Sequence, residues 1–454
     1  MRLAGAALGQ LAAGVERPGY DRDAQAVGIV HFGIGAFHRA HQAWYTDRAM
    51  AAGERDWAIT GVSLRSDDVA CQMNPQDGLY TVTERSAAGA ETRLVGAVRA
   101  VLVAAQSRAD LRNHLIAPQT HIVSFTVTEK GYCRNPDGSL DPLQAGEGSF
   151  YPLVADALRR RRDAGTGGLT LLSCDNLADN GRQLERLMAD YLQLHDPALV
   201  DWFRAECACP STMVDRIVPA TTAADRTALA ARIGLDDAAA VFTEPFSQWV
   251  IEDRFAGPRP RWEAVGATLV AEVRPYETAK LRMLNGAHSL LAYCGLRRGH
   301  EFVHQAIADP ELRALAEQLM VREAAPSIVA APGQDLPRYA ADLLARFANP
   351  ALNHRLIQIA MDGSQKLPQR WLETLAANAR VGLPCPAIRA GLAAWIAHLR
   401  GANGPVEDPQ ADRLASALAA GTDPVKSLFG PRGVLASDWT PTDADCAAIA
   451  GLGS

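Results

Sequence analysis

The sequence predicts an α/β protein: a Rossmann-type, doubly wound, mainly parallel sheet domain followed by a mostly α-helical C-terminal domain. Three observations carry that expectation. Short β-branched runs alternate with helical stretches through the first half of the chain, which implies right-handed crossovers and helices on both faces of a sheet. A Gly-x-Gly turn stands directly behind the first of those runs. After about Tyr276 nearly everything reads as helix.

The candidate strands are 27–32, 58–64, 93–103, 121–128, 169–173 and 213–218. Between them, 36–52 and 183–194 place apolar residues three and four apart, as amphipathic helices do. In the second half the expected helices are 280–296, 312–323, 335–346, 353–359, 368–377 and 388–400. Pro310, Pro326, Pro332, Pro350 and Pro384 separate them, because proline lacks the N–H that would continue a helix. Pro337 fits the first turn of its own helix. A chain of 454 residues exceeds one ordinary core. The boundary is expected at 275/276, giving a dinucleotide-binding domain over 1–275 and a substrate and catalytic domain over 276–454. The segment before Val27 reads as a short helix, and the tail after Asn403 as ending in short helices.

Composition removes several function classes. Hydrophobic residues make up 48% and charged residues 21%, the balance of a soluble globular protein. The net charge is −6 with no basic stripe, which argues against nucleic acid. No apolar run is long enough to span a membrane. The first residues are broken by Glu16, Arg17 and Pro18 and do not read as a signal peptide. Eight scattered cysteines without a C-x-x-C pair suit reduced thiols in a cytoplasm. His38 with His41, and His300 with His304, have helical spacing but no third ligand follows, so no metal site is expected. Ser173 and Ser289 lack a nucleophile elbow, which removes the hydrolase reading.

The stretch AVGIVHFGIGAFHRAHQAWY sets a buried-strand pattern before Gly33-Ile34-Gly35 and an amphipathic helix behind it. A dinucleotide pyrophosphate is held in that context: Gly33 permits the turn, Gly35 lets a phosphate approach the backbone, and the helix start offers N–H groups. His38 takes the place of the third glycine. The second strand ends in Arg65-Ser66-Asp67-Asp68. An acid there suits the ribose hydroxyls of NAD and an arginine the extra phosphate of NADP, so the local pattern leaves both open.

The segment PYETAKLRMLNGAHSLLAYCG carries the chemistry. On a helix advancing about 100° per residue, Lys280, Leu284 and His288 descend one face with Asn285 beside them. A half-buried lysine loses ammonium solvation and so moves toward proton exchange. Asn285 and His288 are the types that hold and polarise an alcohol or carbonyl oxygen. Tyr276-x-x-x-Lys280 also has the short-chain dehydrogenase spacing. Those enzymes finish in about 250 residues, short of this pair, so Tyr276 is taken as structural.

Several stretches together resemble the polyol-specific long-chain dehydrogenases, the mannitol dehydrogenase family. They are GIGAFHRAHQ (33–42), DGLYTVTER (77–85), TEKGY (128–132), SCDN (173–176), PSTMVDRIVPA (210–220), EPFSQWVIED (244–253), YETAKLRMLNGAHS (276–289) and MDGSQKLPQR (361–370). The wording of 210–220 and 359–370 is similar to the fructuronate reductase (mannonate oxidoreductase) branch. The resemblance implies a metal-free enzyme with its active site between a Rossmann-type and a helical domain. Lys280 falls on the family's base, Asn176 and Asn285 on its oxyanion-binding asparagines, and His288 on its substrate-orienting histidine. Glu277 matches a glutamate that assists proton movement, and Asp215 and Lys366 match polar positions near the substrate. Lys366, with Arg370 second to it, would meet a substrate carboxylate. The cofactor residues are expected to be Phe32, Gly33, Ile34, Gly35, Ala36, Phe37, Arg39, Arg65, Thr128 and Glu129. The activity implied is reversible NAD(H)-dependent reduction of D-fructuronate to D-mannonate. The rivals are the mannitol–fructose pair on the same mechanism, and a nucleotide-binding protein without turnover.

Overall fold

Five of the six residues of the first strand are buried, as a strand covered on both faces requires. In the computed structural model, which describes residues 1–421 and 423–453, this is β1 (Val27–Phe32). It is followed by β2 (Ala58–Ser63), β3 (Tyr80–Ser86), β4 (Gly89–Val95), β5 (Val98–Val103), β6 (Ile122–Phe125), β7 (Thr170–Ser173), β8 (Thr212–Asp215), β9 (Val241–Thr243), β10 (Gln248–Glu252) and β11 (Thr268–Val270). The main sheet has five strands in the order β5-β2-β1-β6-β7, all parallel. The chain leaves β1 toward β2 on one side and reaches β6 on the other, so the strand order reverses beside β1. Open α/β sheets bind ligands at the carboxyl ends of the strands at that reversal.

The expected strand 93–103 is two strands. Its first part lies in β4, antiparallel to β3 in a separate sheet of order β4-β3-β9, and its second part is β5 of the main sheet. The break is Gly96, whose N–H donates to the buried Asp47 carboxylate at 2.8 Å while the Arg22 side chain fills the space a Cβ would take. A third sheet, β11-β10-β8, pairs β8 antiparallel to β10. The strands β3, β9, β10 and β11 were not among those expected, because runs of three to seven residues with mixed polarity carry little periodic signal. The expected helix 36–52 is also divided. His41 leaves helical geometry (φ −124°, ψ −95°), separating Ala36–Ala40 from Gln42–Ala51.

The chain divides into two compact units, Met1–Val273 and Arg274–Ser454. The second is helical around a core of its own, with Tyr293, Trp371 and Trp395 among its largest fully buried side chains. Gly286–Arg297 runs through it, packed against Pro386–Leu399 and Leu356–Ala360. Three stretches depart from the α-helix expected there: Lys280–Asn285, Leu319–Ala324 and Pro368–Leu372 form π-turns with i→i+5 bonding. The first packs against the other two. Pro368 explains the third, because its missing N–H removes an α-type bond. Among the described residues no helix is long and apolar enough to cross a membrane.

Candidate active site

The cofactor turn is built from contact. Gly33 has φ +91°, and a Cβ on it would stand 2.1 Å from the Thr126 carbonyl oxygen, so the turn after β1 lies directly on the turn after β6. Thr126 Oγ1 donates to the Gly33 carbonyl at 2.6 Å. Gly35 is exposed, and a Cβ there would meet only the Gly33 oxygen, at 3.8 Å, which leaves the open approach a pyrophosphate needs. The N–H groups of the first turn behind it have no intrahelical acceptor, and no side chain caps them. Because the helix bends at His41, those N–H groups and not a long dipole are what this turn offers.

The other cofactor candidates separate into two groups. Phe32 and Ile34 are buried, Phe32 stacked on Phe125 at 5.6 Å, so they shape the turn from beneath. Ala36 and Phe37 are partly exposed at its surface. Arg39 corrects its expected role. Its guanidinium is buried, donates to the Ala239 carbonyl and to Gly35 O at 3.3 Å, and braces the turn instead of facing a phosphate. Arg65 stands exposed just past β2, and Thr128 and Glu129 are exposed just past β6. A cavity of about 430 Å³ opens beyond the ends of β2 and β5, lined by Leu64, Ala104, Ala105, Arg108 and Leu115 among others. It has the place and size for an adenosine moiety. Sequence reasoning missed it, since its walls meet only through the sheet order.

Asn176 is exposed three residues beyond β7, and Asp215 is buried at the end of β8. Asp175, which sequence reasoning passed over, is buried and accepts from the Val127 and Thr128 N–H groups at 3.0 and 2.9 Å and from the Tyr132 hydroxyl at 2.9 Å. Burial nevertheless holds its carboxyl above the ordinary range, against the pull of those three donors.

In the helical unit, Lys280 and Asn285 are the first and last residues of a π-turn. This corrects the uniform helix expected there. A regular α-helix puts residue i+5 about 140° around the axis from residue i. With i→i+5 bonding the turn is wider, which brings the two residues closer in angle than regular α-geometry would. Lys280 and His288 are buried, Asn285 is half-buried, and Glu277 lies half-buried in the preceding turn. The two following carbonyls are held from outside: Arg370 Nη1 lies 3.3 Å from Asn285 O and Trp371 Nε1 donates to Gly286 O at 3.1 Å.

His288 packs on Phe347 at 4.7 Å and on His354 at 5.3 Å, ring centre to ring centre. Desolvation first, and then the positive charges of His354, Arg346 and Arg370, push it well below its ordinary pKa, so the imidazole is neutral near pH 7. Lys366 donates to the Met361 carbonyl at 2.6 Å and lies 3.7 Å from Asp362. Arg370 donates to Ser289 Oγ at 2.8 Å, and among the described residues it has no carboxylate partner. Burial lowers its guanidinium to about 10.

A dinucleotide turn at the switch point of a parallel sheet, with a buried lysine on a separate helical unit, defines a two-unit Rossmann-type oxidoreductase. The chain belongs to the mannitol dehydrogenase family: a model of the mannitol dehydrogenase Rossmann domain matches residues 27–264, and one of the mannitol dehydrogenase C-terminal domain matches 272–449. It is 40% identical to D-mannonate oxidoreductase of Escherichia coli K12, over 95% of this chain and 93% of that one. Among solved structures it is similar to a substrate-free D-sorbitol dehydrogenase (TM-score 0.90, 32% identity, 100% of this chain and 97% of the other). It is also similar to Pseudomonas fluorescens mannitol 2-dehydrogenase in a ternary complex with NAD and D-mannitol (TM-score 0.83, 34% identity, 100% and 96%).

Proposed function

We propose that the chain catalyses the reversible, NAD(H)-dependent reduction of D-fructuronate to D-mannonate. The observation that carries the acidic substrate is Arg370, a half-buried guanidinium beside the lysine helix with no carboxylate partner among the described residues. A partly buried cation without a counter-ion is costly, and a substrate carboxylate would offset that cost. The 40% identity to a D-mannonate oxidoreductase supports the same reading. Arg370 thus takes precedence over Lys366, whose ammonium is already held by Met361 and Asp362.

The nicotinamide supplies or accepts the hydride at the substrate carbon. Around it, the protein's residues handle the oxygen. Lys280 Nζ gives its proton to the carbonyl oxygen in reduction and takes one from the hydroxyl in oxidation. Asn285 and Asn176 donate amide hydrogens to that oxygen, stabilising the charge that develops there. Neutral His288 orients a hydroxyl without competing with Lys280 for the proton. Glu277, one turn back, passes protons between Lys280 and solvent, and Asp215 receives a substrate hydroxyl. Phe32 through Phe37 with Arg39 form or brace the pyrophosphate turn, while Arg65 and the 430 Å³ cavity meet the adenosine end. Thr128 and Glu129 serve the nicotinamide end. The eight cysteines are free thiols, which suits a cytoplasmic enzyme.

Two measurements test this. NADH oxidation is followed with fructuronate, tagaturonate and fructose side by side, and NADPH is run in parallel. Fructuronate is expected to lead; a preference for fructose would move the chain to the mannitol–fructose reaction. Lys280→Ala is expected to keep NADH affinity and lose at least about a thousandfold in kcat, within the range for a general acid–base. An unchanged rate would place the base elsewhere or leave only a nucleotide-binding protein.

A further inference from the structure

The turns beyond β1, β6 and β7 are joined by side-chain hydrogen bonds that no expected site residue explains. Thr126 Oγ1 ties the 126–129 turn to the Gly33 carbonyl, and His31 Nε2 lies 2.9 Å from the same hydroxyl. Asp175 then holds the Val127 and Thr128 N–H groups from the other side, with the Tyr132 hydroxyl shared between Asp175 and Ser173 Oγ. The Asp175 backbone is pinned in turn: Asn180 Nδ2 donates to its carbonyl at 3.0 Å and to Thr212 O at 2.9 Å, and Asn180 Oδ1 accepts from Thr212 N–H. Asn176 is the next residue.

Thr128 sits at φ +63°. A β-branched residue rarely adopts that conformation, which persists only where its surroundings over-determine it. The Asp175 carboxylate bonded to the Thr128 N–H is the contact that does so.

We propose that Asp175 is a positioning residue: its carboxylate sets the strained 126–129 turn for the nicotinamide end of the cofactor, and its pinned backbone sets Asn176 for the substrate oxygen. One acidic residue thereby couples cofactor seating to substrate polarisation. The proposal rests on the cofactor reading above. An asparagine cannot replace the carboxylate, because its NH₂ would oppose one of the two amide donors.

The test uses Asp175→Asn, Thr128→Gly and the double variant. In the cofactor-free protein, Asp175→Asn is expected to speed amide hydrogen exchange at Val127 and Thr128 about tenfold, and to weaken NADH binding, read by fluorescence titration, by a similar factor. At saturating NADH, kcat should also fall about tenfold, a loss that a purely stabilising residue would not produce. Glycine adopts φ > 0 freely, so Thr128→Gly should raise NADH affinity in the Asp175→Asn background by at least about threefold relative to its own effect in the parent. Unchanged exchange and affinity in Asp175→Asn, or equal effects of Thr128→Gly in both backgrounds, would overturn the proposal. Should Asp175→Asn not fold, the same exchange measured on Tyr132→Phe decides: faster exchange at Val127 and Thr128 supports it, and unchanged exchange sinks it. A parent protein that binds no NADH would refute the cofactor reading, while the exchange result still reports on the Asp175 clamp.

Discussion

At the scale of single residues, two positions are decided by what surrounds them. Gly33 carries φ +91° and touches the Thr126 carbonyl, so Gly33→Ala meets both backbone strain and a clash with a main-chain atom that cannot step aside. It is expected to lose NADH binding by at least about tenfold, with far-UV circular dichroism retained. Near-parental affinity would show that the β1 turn moves freely off the β6 turn. Arg370 is the specificity test. Arg370→Met removes one charge-assisted bond, about 1.5–3 kcal/mol, and should lower the ratio of kcat/KM for fructuronate over fructose by about ten- to a hundredfold. Because Arg370 also braces the Asn285 carbonyl, both rates will drop, and only their ratio is diagnostic. A ratio that stays constant would mean that the carboxylate binds elsewhere.

At the scale of elements, the π-turn Lys280–Asn285 opens the helix that carries the proposed base. Its wide i→i+5 bonding changes the angle between Lys280 and Asn285 from the one regular α-geometry would give. Deleting Leu281, a partly buried residue inside that turn, should restore α-type bonding and change both the spacing and the rotation of Lys280 relative to Asn285. The expected result is a variant with parental helix content by circular dichroism and turnover reduced at least about a hundredfold. Parental turnover would show that the wide turn is incidental. The three candidate polar residues of this helix are picked out in the sequence because Lys280, Asn285 and His288 interrupt an apolar run. The wide turn is not. It depends on two other π-turns packed against it and on Arg370 and Trp371 reaching the 285 and 286 carbonyls, residues 85 positions away in the chain.

At the scale of the whole molecule, both units bury histidines that must stay neutral. His31 is fully buried under the cofactor turn and is lowered to about 3, chiefly by desolvation; His38 and His288 are pushed well below their ordinary value for the same reason. Below pH 6.5 the unfolded chain binds protons at these imidazoles that the folded chain refuses, for His31 down to about 3. Stability from them is therefore complete above about 6.5 and lost as pH falls, at up to about 1.4 kcal/mol per pH unit for each histidine. Denaturant unfolding at pH 7, 6 and 5 should show this loss, and His31→Gln should lessen its slope. A flat profile would indicate that these side chains are hydrated in the folded protein.

The main sheet, the helical second unit, the glycine turn and the lysine helix were all readable in the sequence. Each is written in local pattern: strand alternation, a turn residue with one conformational role, polar residues spaced along one helix. Tertiary structure alone decided the division of 93–103, where Gly96 is drawn to Asp47, and the bend at His41. It also turned Arg39 inward, left Arg370 rather than Lys366 without a carboxylate partner among the described residues, and placed Asp175 beneath a strained threonine. The physical reason is common to all of these. Periodicity records which face of an element is buried, whereas the partner of a buried charge or a widened turn is set by segments that meet only when the chain folds.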